Sequence, residues 1–430
     1  MPSPAHVLIA DRIRRSGPIT FAEFMELALY HPEVGYYASA TQRSGRAGDF
    51  YTSVDVGPVF GALLAEQFVE MFEALDTRPS DATSPLDLIE AGAGNGRLSR
   101  DVLDAIERRA PAIYGRLRVH LVERSPVARA QYPEVLGRHA ARLASSPDLP
   151  GLKPRPTNSA PGDLVGRGFN PGDPGLAPVG RGFSPGDKDQ AHDGWRGVLF
   201  ANELLDALPT HVVVGAPGGG LLEIYVDLAG DTLVERHGPP STPALVQHLQ
   251  GVGARLEPGW RAEVNLAAVD WVHRAATSLD GGFIVLVDYG HEAATLYSAS
   301  HATGTLATFT AHVVEVHEEG RPQPWLREPG TSDITAHVDF TSVRRAAESA
   351  GLDVLCLVPQ GRFLLALGVE RHLLDRTGSD RDSVAARLAL KTLLLPGGIG
   401  STHQVMVIGK RVGTPRLKAC LANPLAERIK

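Results

Sequence analysis

The central part of the chain alternates between short apolar runs and segments in which apolar residues recur every three or four positions. The runs have the length and aliphatic content of buried strands; they cover 86–90, 117–123, 197–201 and 283–288. The segments with helical spacing cover 97–109, 126–143 and 341–350. Strands that alternate with helices predict an α/β fold with a doubly wound, mostly parallel sheet.

The first 80 residues have a different pattern and predict a mostly helical N-terminal cap. Thr20 and Glu23 have the spacing of a capping box, and a helically spaced apolar face follows them. A polar run ends near Phe50, and a further helix is expected to begin at Asp55 with Pro58 in its first turn.

Towards the C-terminus, three short apolar runs predict strands that close the sheet in a hairpin-like manner; they cover 354–358, 363–368 and 404–409. Residues 210–280 form a long excursion between the strands at 197–201 and 283–288. Its pattern predicts one hairpin (221–226 with 232–236) and two helices, which we interpret as an inserted subdomain on the substrate side. A homodimer could form through this excursion. The core is thus expected to cover 81–412, followed by a tail at 413–430.

Residues 150–192 are rich in glycine and proline and contain a tandem repeat with a period of 14 residues. The nine residues from Val165 to Asp173 recur, with one change, from Val179 to Asp187. Such a segment cannot bury enough apolar surface to offset its chain entropy. It predicts a disordered surface insertion rather than a solenoid, because only two short copies exist.

The amino-acid composition argues against several classes of protein. The formal net charge is −7, which argues against a nucleic-acid-binding surface. Two cysteines, Cys356 and Cys420, exclude a disulfide-rich scaffold and a cysteine-based zinc finger, and they suggest a reducing compartment. No apolar run is long enough to span a membrane, and the N-terminus lacks the apolar core of a secretion signal. We therefore expect a cytoplasmic protein.

The strongest chemical signal is a glycine-rich turn between the strand at 86–90 and the helix at 97–109. Glu90 ends the strand, and Gly92, Gly94 and Gly96 follow at alternate positions. Glycines let the backbone approach a ligand at a helix N-terminus. A dinucleotide fingerprint would need a small residue at Arg97, and a phosphate-binding P-loop would need a lysine. The pattern instead favours S-adenosyl-L-methionine, with a dinucleotide site or a plain tight turn as alternatives.

A second signal is Glu123, at the tip of the next strand. An acid at this position of a doubly wound fold accepts hydrogen bonds from the two ribose hydroxyl groups of a nucleoside. It occurs 33 positions after Glu90. The alternative is a surface acid that begins a helix.

Polar residues also follow the other two strands of the core. Asn202, Glu203 and Asp206 come directly after 197–201, where the crevice of an open sheet lies. Asp288 and His291 follow the strand at 283–288, and such groups could orient or deprotonate a substrate. Caps and ordinary surface turns are the alternative for these residues. No metal-binding motif is present, so no metal site is predicted.

Taken in order, these motifs resemble the MidA family of class I methyltransferases. The resemblance runs from about residue 17 to residue 410. The segments that carry it are 48–53, 60–61, 90–96, 202–211, 288–291, 304–306 and 338–340. Val54 and Asp55 stand where the family has Pro-Glu, which keeps the acid, and Asn202 stands where His or Asn is usual. The repeat insertion has no counterpart in the family pattern.

The resemblance implies a Rossmann-like fold and S-adenosyl-L-methionine as cofactor. Mitochondrial members methylate an arginine of a respiratory complex I subunit during assembly, so it also implies a protein substrate. Its cofactor-binding candidates are Glu90, Gly92, Gly94, Gly96, Glu123, Asn202, Gly48 and Thr52. Glu203 is the first candidate for the carboxylate that binds the acceptor, with Asp206, Asp288 and His291 in support.

The resemblance also suggests that residues 45–52 could close over the cofactor as a lid. Three other functions stay open at this point. They are a non-catalytic assembly scaffold that retains the cofactor pocket, a methyltransferase for small molecules or nucleic acids, and a nicotinamide oxidoreductase.

Overall fold

The computed structural model describes residues 2–38, 52–76, 83–144, 194–310, 313–317, 323–374, 381–394 and 402–421. Its strands are β1 (Ile19–Thr20), β2 (Leu86–Ala91), β3 (Leu117–Val122), β4 (Trp195–Asn202), β5 (His211–Gly215), β6 (Leu221–Ala229), β7 (Thr232–Gly238), β8 (Arg261–Val264), β9 (Leu279–His291), β10 (Ala307–Thr310), β11 (Val313–Val316), β12 (Asp333–Thr335), β13 (Val338–Asp339), β14 (Asp353–Pro359) and β15 (His403–Lys410).

The α-helices are α1 (Pro4–Ser16), α2 (Phe21–Tyr30), α3 (Pro58–Leu75), α4 (Arg97–Arg109), α5 (Pro111–Tyr114), α6 (Pro126–Ala130), α7 (Tyr132–Leu136), α8 (Ala244–Gly251), α9 (Leu266–Ser278), α10 (Ala293–Leu296), α11 (Pro324–Arg327), α12 (Phe340–Ser349), α13 (Gln360–Ala366), α14 (Val369–Leu374), α15 (Arg381–Leu394) and α16 (Lys418–Leu421). Short 3₁₀ helices cover Tyr36–Ala38, Ser53–Val56, Gly137–Arg142 and Ala299–His301.

The main sheet has seven strands in the order β14-β15-β9-β4-β2-β3, with β13 beside β9. Strands β2, β3, β4 and β9 are parallel, whereas β15 runs antiparallel between β9 and β14. Ala91 lies opposite Ala201, and Asn202 lies opposite Val287. The carboxyl ends of β2, β4 and β9 therefore meet at one edge, where ligands bind in open α/β sheets.

Helices cover both faces of this sheet, which confirms the predicted doubly wound α/β fold. One face packs on α3, α4 and α13 through residues such as Phe68, Val102 and Phe200. The opposite face packs on α9 and α12, where Trp271 and Val343 are fully buried. The strands are apolar on both faces because both are covered.

A second sheet has five strands, β1 and β5 to β8, and the predicted hairpin is its β6–β7 pair. Helices α1 and α2 pack on it through an apolar cluster that includes Phe21, Phe24 and Trp325. The first two helices of the N-terminal segment thus contact the excursion, whereas α3 contacts α4 of the main layer.

The prediction of a strand at 363–368 is wrong, because residues 363–366 belong to helix α13 and the next two form a turn. Phe363 and Leu364 are buried while Leu365 is 53% exposed, as on one turn of a helix. A short apolar run has no distinguishing period, so its sequence is compatible with either element. The partner of β15 is β14.

Two predicted helices differ in their bounds. Helix α3 begins at Pro58 and not at Asp55, because Gly57 takes a φ of +117° and separates it from a 3₁₀ turn. The helix predicted at 126–143 is divided into α6, α7 and a 3₁₀ helix. Pro133 and Gly137 fall at the points of division, which agrees with their poor compatibility with a helix interior.

Cys356 and Cys420 form a disulfide that connects β14 to α16. This pairing speaks against the interpretation of the two cysteines as an indication of a reducing compartment. Their separation of 64 residues gave no sign of this pairing in the sequence. Disulfides persist mainly in oxidising surroundings.

Several predictions fall on parts of the chain that the structure does not describe. These are residues 45–51 of the predicted lid, including Gly48, all of the repeat insertion at 150–192, and residues 422–430 of the tail. In the ranges given above, no helix combines the length and apolarity that crossing a bilayer requires.

Candidate functional site

The glycine-rich turn between β2 and α4 forms an open backbone surface. Gly92, Gly94 and Gly96 have φ angles of +74°, +50° and +83°, which favour glycine. A Cβ atom at Gly92 would lie 3.0 Å from Leu204, whereas one at Gly94 would meet no atom within 4 Å. The turn therefore presents free space above Gly94, as a ligand that approaches the backbone requires.

Glu90 lies beneath this turn and is 4% exposed. Its Oε2 accepts hydrogen bonds from the backbone N–H of Ser99 (3.2 Å) and from the Ser99 hydroxyl (2.5 Å), in the first turns of α4. Burial raises the pKa of Glu90 to about 8. Both contacts use the same oxygen, so Glu90 anchors the helix through one side of its carboxyl group.

Glu123 lies beside the same turn, just after β3. Its Oε2 accepts a hydrogen bond from the N–H of Gly94 (3.0 Å), and its Oε1 accepts one from the N–H of Ser125 (2.8 Å). Burial raises the pKa of this carboxyl group. The two strongest sequence signals thus meet in space. Nearby, the hydroxyl of Tyr132 is buried without a hydrogen-bond partner among the described residues.

Thr52 is connected to the glycine turn through two charged residues. Asp55 accepts hydrogen bonds from the Thr52 backbone N–H and hydroxyl, both at 2.9 Å. Asp55 also forms an ion pair with Arg97, the first residue of α4. Asp55 is the acid that replaces the glutamate of the family pattern. These contacts connect Thr52 to the first residue of α4, which follows the turn.

Glu203 directly follows β4 and has a φ of +51°, an unusual value for a residue with a side chain. Its N–H donates to the carbonyl of Val287 (2.8 Å), which fixes it to the neighbouring strand. Its Oε1 accepts hydrogen bonds from the Asn202 side chain (3.2 Å) and from the Ser53 N–H (3.5 Å). His403 Nε2 lies 3.5 Å from the same oxygen.

Asp288 and Asp206 lie behind Glu203 and are both buried. Asp288 Oδ2 accepts hydrogen bonds from the N–H groups of Leu204 (3.2 Å) and Leu205 (2.9 Å). Burial raises the pKa of Asp288 to about 7. Burial and the nearby Asp288 raise the pKa of Asp206 well above its usual range. Asp206 Oδ2 accepts a hydrogen bond from the Tyr289 hydroxyl (2.5 Å), and its Oδ1 has no partner among the described residues.

A cavity of about 490 Å³ opens in front of these carboxyl groups. Glu203, Asp206 and Asp333 line one part of it, and Tyr37 donates a hydrogen bond of 2.7 Å to Asp333. Val314, on the β10–β11 hairpin, lines another part. The arrangement suits a cationic group held by carboxylates at one end of a partly apolar cavity.

The four candidates for the acceptor site occupy three different positions in the structure. Glu203 and Asp206 line the cavity, whereas Asp288 is buried under the loop that carries them. His291 is absent from the described lining, and its ring lies against those of His301 and His337 at centroid separations of 4.9 and 5.3 Å.

Sequence reasoning missed several residues of the cavity wall. Tyr37, His301 and His403 line the cavity and were not singled out, because each lies outside the motifs that the sequence marks. Asp333 and His337 belong to a polar segment before α12 that the sequence marks only by its density of polar residues. Burial and the neighbouring histidines lower the pKa of His337 to about 4.

We compared the chain with known proteins. The family described as "Putative S-adenosyl-L-methionine-dependent methyltransferase" matches residues 63–358. "Protein arginine methyltransferase NDUFAF7, mitochondrial" from Danio rerio is 28% identical over 415 residues, which cover 92% of this chain and 84% of the relative. The homolog of that protein from Drosophila melanogaster is 30% identical over 378 residues, covering 84% and 74%.

A solved structure is also similar over nearly the whole chain. It is a crystal structure of a protein from Burkholderia thailandensis bound to S-adenosyl-homocysteine. The two chains are 26% identical, the TM-score is 0.76, and the match covers 97% of each.

The comparisons contradict one prediction made from the sequence. The curated relatives are named as mitochondrial proteins, so the expectation of a cytoplasmic location is wrong. That expectation depended on the absence of a visible targeting segment in the sequence.

Proposed function

The chain belongs to this family of S-adenosyl-L-methionine-dependent methyltransferases, and we propose that it methylates the guanidinium group of an arginine in a protein substrate. Its cofactor is S-adenosyl-L-methionine, in agreement with the sequence prediction. The observation that carries the proposed acceptor is the cavity in which Glu203 and Asp206 lie together, at the sheet edge that also holds the glycine turn.

The residues around the glycine turn fit this cofactor. The space above Gly94, which a Cβ atom would enter without touching the protein, leaves room for a nucleoside. Glu123 would accept the ribose hydroxyls, and Glu90 would face the ammonium group. Asn202 has a buried Oδ1 without a partner among the described residues, which a donor of the cofactor would satisfy. When bound, the cofactor would supply a methyl group bonded to a sulfonium, and the neutral thioether S-adenosyl-homocysteine would be the leaving group.

The wider set of cofactor-binding residues in our proposal is Gly92, Gly94, Gly96, Glu90, Glu123, Asn202, Thr52 and Gly48. Gly48 lies outside the described residues, so its role depends on the family resemblance alone. Thr52 is held next to the turn by Asp55.

Glu203 is the proposed acceptor-binding carboxylate. The guanidinium of arginine is charged at neutral pH, and carboxylates bind it through pairs of hydrogen bonds. The hydrogen bonds described for Glu203 all use Oε1, which leaves Oε2 for the substrate. Asp206 would add its unpartnered Oδ1. Together the two groups would orient the acceptor nitrogen for in-line attack and take up the proton that methylation releases.

Asp288 and His291 take different roles from those first assigned to them. Asp288 uses both carboxyl oxygens for backbone N–H groups, so we propose that it positions the loop that carries Glu203. His291 does not reach the described cavity lining, so we leave it out of the acceptor site.

Three further observations support a protein substrate. The relatives are named protein arginine methyltransferases. Val313, Val314 and Val316 on the β10–β11 hairpin are 52–60% exposed, and two of them line the cavity, so they offer apolar surface to a polypeptide. The net charge of −7 disfavours a nucleic acid.

The family resemblance further suggests a part in respiratory complex assembly. It leaves the identity of the substrate protein open. We also propose that a homodimer forms through residues 210–280.

The test is methyl transfer to proteins of the source cells. Extract from cells that lack this protein is incubated with the purified chain and methyl-labelled S-adenosyl-L-methionine, and the proteins are hydrolysed for amino-acid analysis. We expect labelled methylarginine with the unaltered chain. The matched variant Glu203→Gln, which keeps the size of the side chain, is expected to give at least about 100-fold less label.

Other outcomes would favour the alternatives. Label in small molecules alone would identify a small-molecule methyltransferase. No label at all, from a chain shown to bind S-adenosyl-homocysteine, would favour the non-catalytic scaffold. Tight binding of NADH in place of S-adenosyl-homocysteine would contradict both and favour an oxidoreductase.

A further inference from the structure

Three histidines from separate segments meet at the wall of the cavity. His291 ends β9, His301 ends the 3₁₀ helix Ala299–His301, and His337 lies between β12 and β13. Each offers one ring nitrogen, and these nitrogens all lie within 4.8 Å of one another. The ring centroids are 4.9, 5.3 and 6.0 Å apart. His301 and His337 also line the cavity.

The hydrogen bonds of this cluster leave ring nitrogens available. His301 Nδ1 lies 3.0 Å from the carbonyl of Thr295, which can only accept, and 3.1 Å from the hydroxyl of Ser300, so we assign the proton to Nδ1. Nε2 of the same ring then carries a lone pair. A backbone carbonyl that orients a histidine in this way is the usual support of a metal ligand. Independently, His337 Nδ1 is buried and has no hydrogen-bond partner among the described residues.

We propose that His291, His301 and His337 bind one divalent transition-metal ion of the zinc class. Three imidazoles with a fourth position open to water or substrate are a known zinc arrangement. Around a tetrahedral ion the ligand nitrogens are about 3.4 Å apart, from Zn–N bonds of about 2.0–2.1 Å. The rings therefore need to close by small side-chain rotations. Since two of the ligands line the cavity, the ion is reached from the cavity.

A second cluster shows why the histidines are the better site. Asp104, Glu107 and His139 also bring three ligand atoms together. There, however, Arg138 forms ion pairs with both Asp104 and Glu107, so a guanidinium already neutralises the acids. Among the described residues, no ion pair involves His291, His301 or His337, so no charged side chain competes with a metal ion there.

The ion would have two consequences for the cavity. It would connect the end of β9, the turn before β10 and the link between β12 and β13, and so stiffen one wall. Its open position would accept an anionic oxygen, for example a carboxylate of the substrate. This inference goes beyond the proposed methyl transfer, because it needs neither the cofactor nor an acceptor arginine.

Metal binding to the full chain tests the proposal directly. After removal of metal with a chelator, the protein is titrated with Zn²⁺ by calorimetry and with Co²⁺ by visible absorption. We expect about one ion per chain and the absorption of a tetrahedral Co²⁺ site. His301→Ala and His291→Ala are each expected to weaken binding at least about tenfold. His273→Ala, a matched change of a half-buried histidine on α9, should leave binding unchanged.

The same preparations control for folding. Each variant should keep the circular dichroism spectrum and the S-adenosyl-homocysteine affinity of the unaltered chain, so a loss of metal binding is not read from an unfolded protein. Failure of the unaltered chain to bind Zn²⁺ would overturn the proposal. If the His291 and His301 variants bound Zn²⁺ as tightly as the unaltered chain, the proposal would also be overturned. Neither result would bear on methyl transfer, which is measured separately.

Discussion

Asp288 accepts a 2.9 Å hydrogen bond from the backbone N–H of Leu205, and this contact joins the end of β9 to the loop after β4. The N–H groups of Leu204 and Asp206 donate to the same oxygen. Glu203, which directly precedes these three residues, is thereby held at the cavity in its left-handed conformation. If Asp288 positions this loop, its role depends on the hydrogen bonds that it accepts and not on its charge.

Asp288→Ala is expected to lower the free energy of unfolding by about 1–3 kcal/mol, because buried N–H groups lose their acceptor. Methyl transfer should fall with it. Asp288→Asn keeps the acceptor oxygen for Leu205 but places its NH2 group against the N–H of Tyr289, so it should retain more of both than the Ala variant. Urea unfolding and methyl transfer of the two variants give the comparison, with Asp353→Asn, an exposed acid on β14, as control. An Asn variant as inactive as the Ala variant would contradict a positioning role and indicate that the charge itself matters.

Glu203→Ala is expected to abolish methyl transfer while S-adenosyl-homocysteine affinity stays within a few-fold. The reason is that Glu203 lines the proposed acceptor cavity, whereas the glycine turn follows β2 and Glu123 follows β3. Calorimetric titration with S-adenosyl-homocysteine measures the affinity. If that affinity collapsed, Glu203 would be a cofactor ligand and the assignment would be wrong.

Gly94→Trp is expected to remove S-adenosyl-homocysteine binding, because its side chain would fill the space above the turn. Gly253→Trp is a matched control. Gly253 also has a left-handed φ, +71°, and a Cβ there would also meet no atom within 4 Å, but it lies in the loop after α8. The two variants share any backbone strain, so only the position differs. If both variants bound S-adenosyl-homocysteine as tightly as the unaltered chain, the glycine turn would not be the binding site.

Glu123→Ala should also weaken S-adenosyl-homocysteine binding, since the acceptor of the ribose hydroxyls is lost. We expect a loss of about 10- to 100-fold, the range of one or two hydrogen bonds to a charged group. Calorimetry under the conditions used for the Gly94 variant gives the value. An unchanged affinity would show that the carboxylate only supports the turn through Gly94 and Ser125.

The raised pKa of Glu90 predicts a pH dependence of stability. Between about pH 4.5 and pH 8 the folded chain keeps a proton on Glu90 that the unfolded chain has released. Raising the pH through this window therefore favours unfolding, and the contribution of this group falls by about 1.4 kcal/mol per pH unit. Glu90→Gln removes it. The unfolding free energy of this variant should decrease less between pH 5 and pH 8 than that of the unaltered chain.

Denaturant unfolding at several pH values measures this difference. Glu257→Gln, which changes an exposed carboxylate, should follow the unaltered chain. Parallel curves for the Glu90 variant and the unaltered chain would contradict the raised pKa.

The disulfide predicts a dependence of stability on reductant. Reduction should lower the free energy of unfolding by about 2–4 kcal/mol, because Cys356 and Cys420 close a long loop of the unfolded chain. Cys420→Ser should be equally unstable with and without dithiothreitol. Unfolding of the unaltered chain at the same denaturant concentration in both conditions would show that the cysteines are not paired in solution.

The sequence alone determined the elements whose pattern is local. Residues 97–109 are helical to the residue, and the strand before them ends in the glycine turn. Alternating strands and helices were enough to give the doubly wound sheet, because burial on both faces imposes continuous apolar runs. The short run at 363–368 was not enough, because neither its length nor its period distinguishes strand from helix.

Tertiary structure decided which side chains meet. The cavity brings together Tyr37, Glu203, Asp333 and His403, which the chain separates by tens to hundreds of positions. The histidine cluster and the disulfide join residues in the same way. Periodicity depends only on neighbours along one helix or strand, whereas these contacts depend on the pairing of strands and the packing of segments that are distant in the chain. The sequence therefore determined the glycine turn, and the folded chain determined the cavity in which Glu203 and Asp206 lie.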